Sequence, residues 1–183
     1  MSEDAKTLAA GEYAALGLLK RSRMHGYEMA RTAREEGLTE VCPLEQSALY
    51  GYLNNLEAMG LVAWTESRQG RRPPRKLYRL TPRGSAIVDG WLASPVTRMR
   101  LVRTEFLAKL HILASIDAAA TAPLIQRQLS VCERYADSIS STMSEASGLP
   151  RLVAQSRHSA ALATIAWLES YLRELQPPVG APA

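Results

Sequence analysis

Between Ser47 and Gly84 the chain changes its hydrophobic period from helical to alternating, and this limits what it can fold into. Leu49, Leu53, Leu56 and Met59 recur at helical spacing until Gly60 stops them. Leu61-Val62-Ala63-Trp64-Thr65 and Lys76-Leu77-Tyr78-Arg79-Leu80 then alternate as strands, with Tyr78 expected inward and Arg79 outward. Gly70-Arg71-Arg72-Pro73-Pro74 lies between them and reads as a turn, because proline cannot donate to a sheet ladder. A helix followed by a hairpin with a basic tip is the layout of a winged helix.

The surrounding segments extend this reading. Residues 7–20 read as a first helix with Leu8, Tyr13, Leu16 and Leu19 on its apolar stripe. A second runs over about 26–37, with Tyr27, Met29, Ala30 and Ala33 inward and Gly37 as its stop. Pro43 sits where the third helix can begin. Thr81 and Pro82 read as the N-cap and first residue of a fourth, over 82–93. Ser94-Pro95 marks a boundary. Three more helices are expected over 97–116, 121–147 and 151–176, with Gly148-Leu149-Pro150 punctuating the last two. These last two repeat apolar residues in steps of four and three, the signature of a coiled-coil-like seam. The seams either close on each other or pack on a second subunit.

The expected fold class is mostly α, an N-terminal winged helix-turn-helix with a small β-hairpin wing followed by a helical C-terminal dimerisation region. The expected domains are 1–93 for DNA binding, 94–176 for dimerisation and effector response, and a loose Pro/Ala/Gly-rich tail over 177–183.

Charge distribution suggests a partner. The net charge is only +4, yet Arg68, Arg71, Arg72, Arg75, Lys76, Arg79 and Arg83 follow one another with no acidic residue among them. A solvated face mixes signs, whereas a one-sign run suits a phosphate backbone. In this arrangement the third helix lies in the major groove of double-stranded DNA. Gln46, Asn54 and Asn55 suit adenine edges, Ser47 donates or accepts, and Tyr50 reaches a phosphate. In the wing, Arg71, Arg72 and Arg75 reach the minor groove or its flanking phosphates, and Lys76 a phosphate. One recognition helix per chain favours a homodimer, because two-fold symmetry sets two helices in successive major grooves.

Other classes fit poorly. His25, His111 and His158 are scattered, and no nucleophile elbow, phosphate loop or zinc motif is present, so an enzyme is not expected. Cys42 and Cys132 belong to no metal-ligand cluster and suit buried free thiols, so neither a metal nor a cofactor is expected. No apolar run reaches membrane-spanning length and no signal-peptide pattern opens the chain, so a soluble cytoplasmic protein is expected, with no membrane partner.

Tyr13-Ala14-Ala15-Leu16-Gly17-Leu18-Leu19, His25-Gly26-Tyr27-Glu28, Leu49-Tyr50, Gly60-Leu61-Val62, Gly70-Arg71 and Tyr78-Arg79-Leu80-Thr81 together resemble the PadR family of bacterial transcriptional regulators. Arg103-Thr104-Glu105-Phe106 with Lys109-Leu110 extends the resemblance into the second half. It implies a winged helix with a helical dimerisation region, and repression of an adjacent operon at a palindromic operator. It also implies relief by a small-molecule effector, expected to be a small aromatic compound. Trp91, Phe106, His111 and Trp167 are the residues available for such a pocket. The chain departs from the family in having Ser47-Ala48 where a glycine is common, and two wing prolines in place of one. The alternative is a winged-helix protein-interaction module without sequence-specific DNA binding, in which the wing arginines are dispensable.

Overall fold

The computed structural model describes residues 8–67 and 75–175. Arg71 and Arg72 of the wing, and the tail over 177–183, lie outside the described residues. The chain divides into two compact units. One comprises Met1–Ala93 and Val102–Ala118, the other Ser94–Leu101 and Ala119–Ala183. The first therefore takes in a segment beyond the expected boundary at residue 93.

The first unit is a winged helix-turn-helix. It contains α1 (Ala10–Arg21), β1 (Met24–His25), α2 (Gly26–Glu35), α3 (Gln46–Ala58), β2 (Val62–Ser67), β3 (Arg75–Leu80), α4 (Pro82–Ala93) and α5 (Glu105–Ile116). Three of these helices, α1, α2 and α4, start where a side chain satisfies a backbone N–H. Glu12 accepts the Ala9 N–H at 2.7 Å, and Glu28 accepts the His25 N–H at 2.9 Å. That bond is the main reason the Glu28 carboxyl lies below its ordinary range. Thr81 caps α4 as expected, its hydroxyl accepting the Gly84 N–H at 3.1 Å. Gly37 and Gly60 close α2 and α3 in the left-handed region, at φ 74° and 69°.

The three strands form an antiparallel sheet in the order β1-β3-β2. The hairpin register runs from Val62 opposite Leu80 to Ser67 opposite Arg75. Tyr78 is buried and Arg79 exposed, as the alternation implied. Leu16, Leu18, Met29, Leu49, Leu53, Leu56, Leu61, Phe106 and Ile112 are among the largest fully buried side chains of the core. Beside it, the Tyr13 ring stacks on Trp91 at 5.1 Å, and Trp91 Nε1 donates to Glu105 at 2.7 Å. Lys109, only 2% exposed, sits 3.4 Å from the same carboxylate and 5.0 Å from the Trp91 ring centroid. Burial pulls its pKa down while Glu105 opposes that shift, so the ion pair and the aromatic face keep a cation tolerable there.

Three expected boundaries are corrected. α3 begins at Gln46, because Leu44 is buried in the extended approach and Glu45 keeps a non-helical φ, ψ of −59°, 153°. The helix expected over 97–116 is broken. A 3₁₀ turn at Met99–Arg103 meets α5 at Thr104, whose φ, ψ of −133°, −86° admit no helix. The last helix starts at Gly148, earlier than expected, since a proline within the first turn removes no intrahelical bond.

The second unit pairs α6 (Thr121–Glu145) with α7 (Gly148–Glu174) as a helical hairpin. Leu124, Ile125, Cys132 and Ala136 are buried on α6, and Ala154, Ala161 and Leu168 on α7. Gln128, fully buried, holds the segment Ser94–Leu101 to α6. Its Oε1 accepts the Val96 N–H at 2.8 Å and its Nε2 donates to the Val96 carbonyl at 3.0 Å. Burial pushes the Cys42 thiol up to about 11 and raises Cys132 as well, which disfavours the reactive thiolates. No helix among the described residues is long and apolar enough to cross a membrane.

Candidate nucleic-acid interface

The start of α3 is exposed and lies beside the hairpin. Leu49, Leu53 and Leu56 face the core, so Gln46, Ser47, Tyr50 and Asn54 are left exposed. Ser47, Tyr50 and Asn54 follow at intervals of three and four and share one face. Asn55 does not join them. Its amide donates to Glu12 of α1, so it ties α3 to α1.

A cleft of about 480 Å³ opens beside this face, lined by His25, Gly26, Tyr27, Gln46, Tyr50, Arg75, Lys76 and Tyr78. It joins the N-termini of α2 and α3 to the first residues of β3. β1 makes this possible. Met24 pairs with Tyr78 and His25 with Leu77, and His25 Nδ1 lies 2.9 Å from the Lys76 carbonyl oxygen. Gly26 lets the Tyr50 ring approach closely, since a Cβ there would stand 2.8 Å from it and the ring would have to shift. Along one wall the His25 and Tyr27 rings stack at 5.6 Å, and the Arg75 guanidinium sits 4.9 Å from the Tyr27 centroid. Cations, phenol hydroxyls and backbone N–H groups at a helix start together suit an anionic, hydrogen-bond-accepting ligand such as a phosphate ester.

Lys76 is less free than the sequence implied. Its ammonium lies 3.0 Å from Glu57 and 4.3 Å from the Trp64 ring centroid, while Trp64 Nε1 donates to Glu57 at 2.6 Å. The Trp64 bond, followed by Lys76, draws the Glu57 carboxyl below its ordinary range. Glu57 thus clamps both strands of the hairpin to the end of α3.

The candidate effector residues separate. Trp91 and Phe106 are closely packed in the first unit's core, where neighbouring side chains already fill the space around them. His111 is on that unit's surface, its Nε2 2.7 Å from Glu36. Trp167 belongs to the second unit and stacks on Tyr171 at 6.2 Å. As a set they are not brought together within either unit.

Residues 15–89 match the Transcriptional regulator PadR-like family. Over that segment the chain is similar to members of that family. Residues 102–176 of this PadR-like chain match a second family, Virulence activator alpha C-term. Over 118 residues the chain is 27% identical to the Negative transcriptional regulator PadR of Bacillus subtilis (strain 168). That alignment covers 64% of each protein, so the chain spans just under two thirds of the relative's length. Among solved structures it is similar to Bacillus subtilis PadR in complex with operator DNA, at 23% identity over 90% of this chain and 98% of that one, TM-score 0.46. It is also similar to the same protein in complex with p-coumaric acid, at 22% identity over 91% and 99%, TM-score 0.42.

The sequence reading of this PadR-like chain did not assign His25, Gly26, Tyr27 or Tyr78 to the site. The first three stood out as a helix start and as part of the family resemblance, not as site residues. Their place beside Arg75 depends on a two-residue strand, too short to leave a periodic signal.

Proposed function

We propose that this PadR-like chain is a DNA-binding transcriptional repressor that acts as a homodimer on a palindromic operator and is released by a small-molecule effector. The observation that carries the reading is the cleft that joins the exposed start of α3 to Arg75 and the hairpin. Side chains suited to base edges lie there beside a cationic edge suited to phosphate, which supports specific and non-specific DNA contact. Gln46, Ser47 and Asn54 are the base-facing set, and Tyr50 and Arg75 with the wing arginines Arg71 and Arg72 the backbone set. The name of the Bacillus subtilis relative supports the negative sign of regulation.

The dimer is supported by α7. Leu149, Leu152, Val153, Leu162, Trp167 and Leu175 are exposed. Leu149 and Trp167 are eighteen residues apart, five full turns, so they share one edge with Val153 and Tyr171. Large apolar side chains aligned in this way favour a partner over water. A second copy meets the need with two-fold symmetry.

The test is a titration of the full chain against its own upstream DNA and a scrambled duplex at two salt concentrations. Tight binding to the first that survives added salt better than binding to the second is expected, together with a loss of about 1–3 kcal/mol of discrimination in Gln46→Ala. Equal, steeply salt-sensitive binding to both duplexes would reduce the site to phosphate contact. No binding to either, with no genomic site captured, would favour the protein-interaction module.

A further inference from the structure

The second unit has a cleft of its own, of about 490 Å³, lined by Thr97, Arg98, Met99, Arg100, Tyr135 and Arg157. Its walls come from three pieces of chain: the Ser94–Leu101 segment, α6 and α7. Three of the six lining residues are arginines and none is acidic. Among the described residues none of these three guanidinium groups makes an ion pair, whereas Arg21 is bonded to Glu36 and Arg31 faces Glu35. The Ser94–Leu101 backbone that carries Arg98 and Arg100 is fixed, because the buried Gln128 amide holds Val96 through both its N–H and its carbonyl. Three like charges from two of these pieces repel one another at this cleft, and the chain supplies no counter-charge in its lining.

We propose that this cleft binds a small organic oxyanion, a carboxylate or phosphate group on a compact body, and that this is where the effector acts. The binding claim stands alone; the effector role rests on the regulator reading above. Guanidinium forks bind the paired oxygens of a carboxylate or phosphate through two parallel hydrogen bonds, which ammonium groups cannot do. Tyr135, half-buried, offers a ring and a hydroxyl, and Met99 an adaptable apolar wall for the body of the ligand. The response has a covalent route. The Ser94–Leu101 segment continues directly into α4 at one end and into Val102 of the first unit at the other. A ligand that draws Arg98 and Arg100 toward Arg157 acts on chain that leads both ways into the DNA-binding unit.

The experiment uses the full chain without DNA, observed through the arginine Nε–H resonances at constant ionic strength. Benzoate and inorganic phosphate are the anionic probes, and benzamide is the neutral match for benzoate. A saturable shift is expected with at least one anion and none with benzamide, and the tighter anion identifies the ligand class. Arg100→Ala/Arg157→Ala should weaken that affinity roughly tenfold or more, since each lost charge-assisted bond is worth about that factor. Both arginines are exposed, so the variant should fold, which far-UV circular dichroism checks. No saturable response to either anion, or a response unchanged in the double variant, overturns the site. The tighter anion is then added to the chain on its upstream DNA. Anion binding without release of bound DNA overturns the effector role alone. Anion binding by a chain that binds no DNA leaves the site standing and refutes the regulator reading.

Discussion

At position 84 there is no room for a side chain. A Cβ there would stand 2.0 Å from the Leu61 carbonyl oxygen, which is backbone and cannot rotate away. Alanine improves helix propensity by up to about 1 kcal/mol, but overpacking against backbone costs more. Gly84→Ala should therefore lose about 2 kcal/mol in urea unfolding; an unchanged or raised midpoint would refute this. Glu36 gives a prediction of another kind. The Arg21 hydrogen bond at 2.6 Å, above all, holds its carboxyl below the ordinary range. A lowered folded-state pKa stabilises the fold above the ordinary carboxylate value, and this is lost as pH falls through the lower value. The stability gap between wild type and Glu36→Gln should be widest near neutral pH and close on acidification through that range. A gap as wide at about pH 3 as at about pH 7 would remove Glu36 from the account. Neither contact has a signature in the sequence. Gly84 reads only as the third residue of a helix, and Glu36 meets residues 15 and 75 positions away.

The third helix and the hairpin are the elements the sequence displayed most openly, because burial on one face imposes a period on each. α3 buries Leu49, Leu53 and Leu56, and β3 alternates Tyr78 with Arg79, as their spacing required. What the period cannot reveal is which partner a polar residue chooses. Asn55 looked as available as Asn54, yet it turns to Glu12; Lys76 looked like a free wing cation, yet it pairs with Glu57. This pairing yields a prediction. In Glu57→Gln the ammonium is released to phosphate and the clamp on Trp64 is weakened. Non-specific DNA binding should strengthen at low salt, its salt dependence should steepen by roughly one ion, and preference for the upstream sequence should narrow. An unchanged salt slope would mean that Lys76 stays off the phosphates even when unpaired.

Across the whole molecule the chain passes between its two units more than once, which the expected boundary at 93 did not anticipate. α5 follows the linker in sequence but belongs to the first unit, where Phe106 and Ile112 are fully buried. A fragment of residues 1–93 lacks these side chains, and loss of buried groups of this size costs several kcal/mol. It should melt lower and less cooperatively than a fragment of residues 1–118, with weaker near-ultraviolet dichroism. Equal melts would show that α5 adds nothing to that unit. For α7, Leu149→Glu/Trp167→Glu places two carboxylates on the exposed apolar edge. Sedimentation equilibrium should then report a monomer with weakened operator binding; an unaltered dimer would place the subunit contact elsewhere.

The interleaving has a consequence for how such a gene can change. A recombination crossover at the codon for Ser94 would look like a clean exchange of one C-terminal half for another. It would also replace α5, and with it Ile112, which packs beside Gly17 of the resident α1. Exchange of whole halves would tend to yield an ill-fitting core, so inherited change in this lineage should proceed through substitutions in place more readily than through shuffling at that junction.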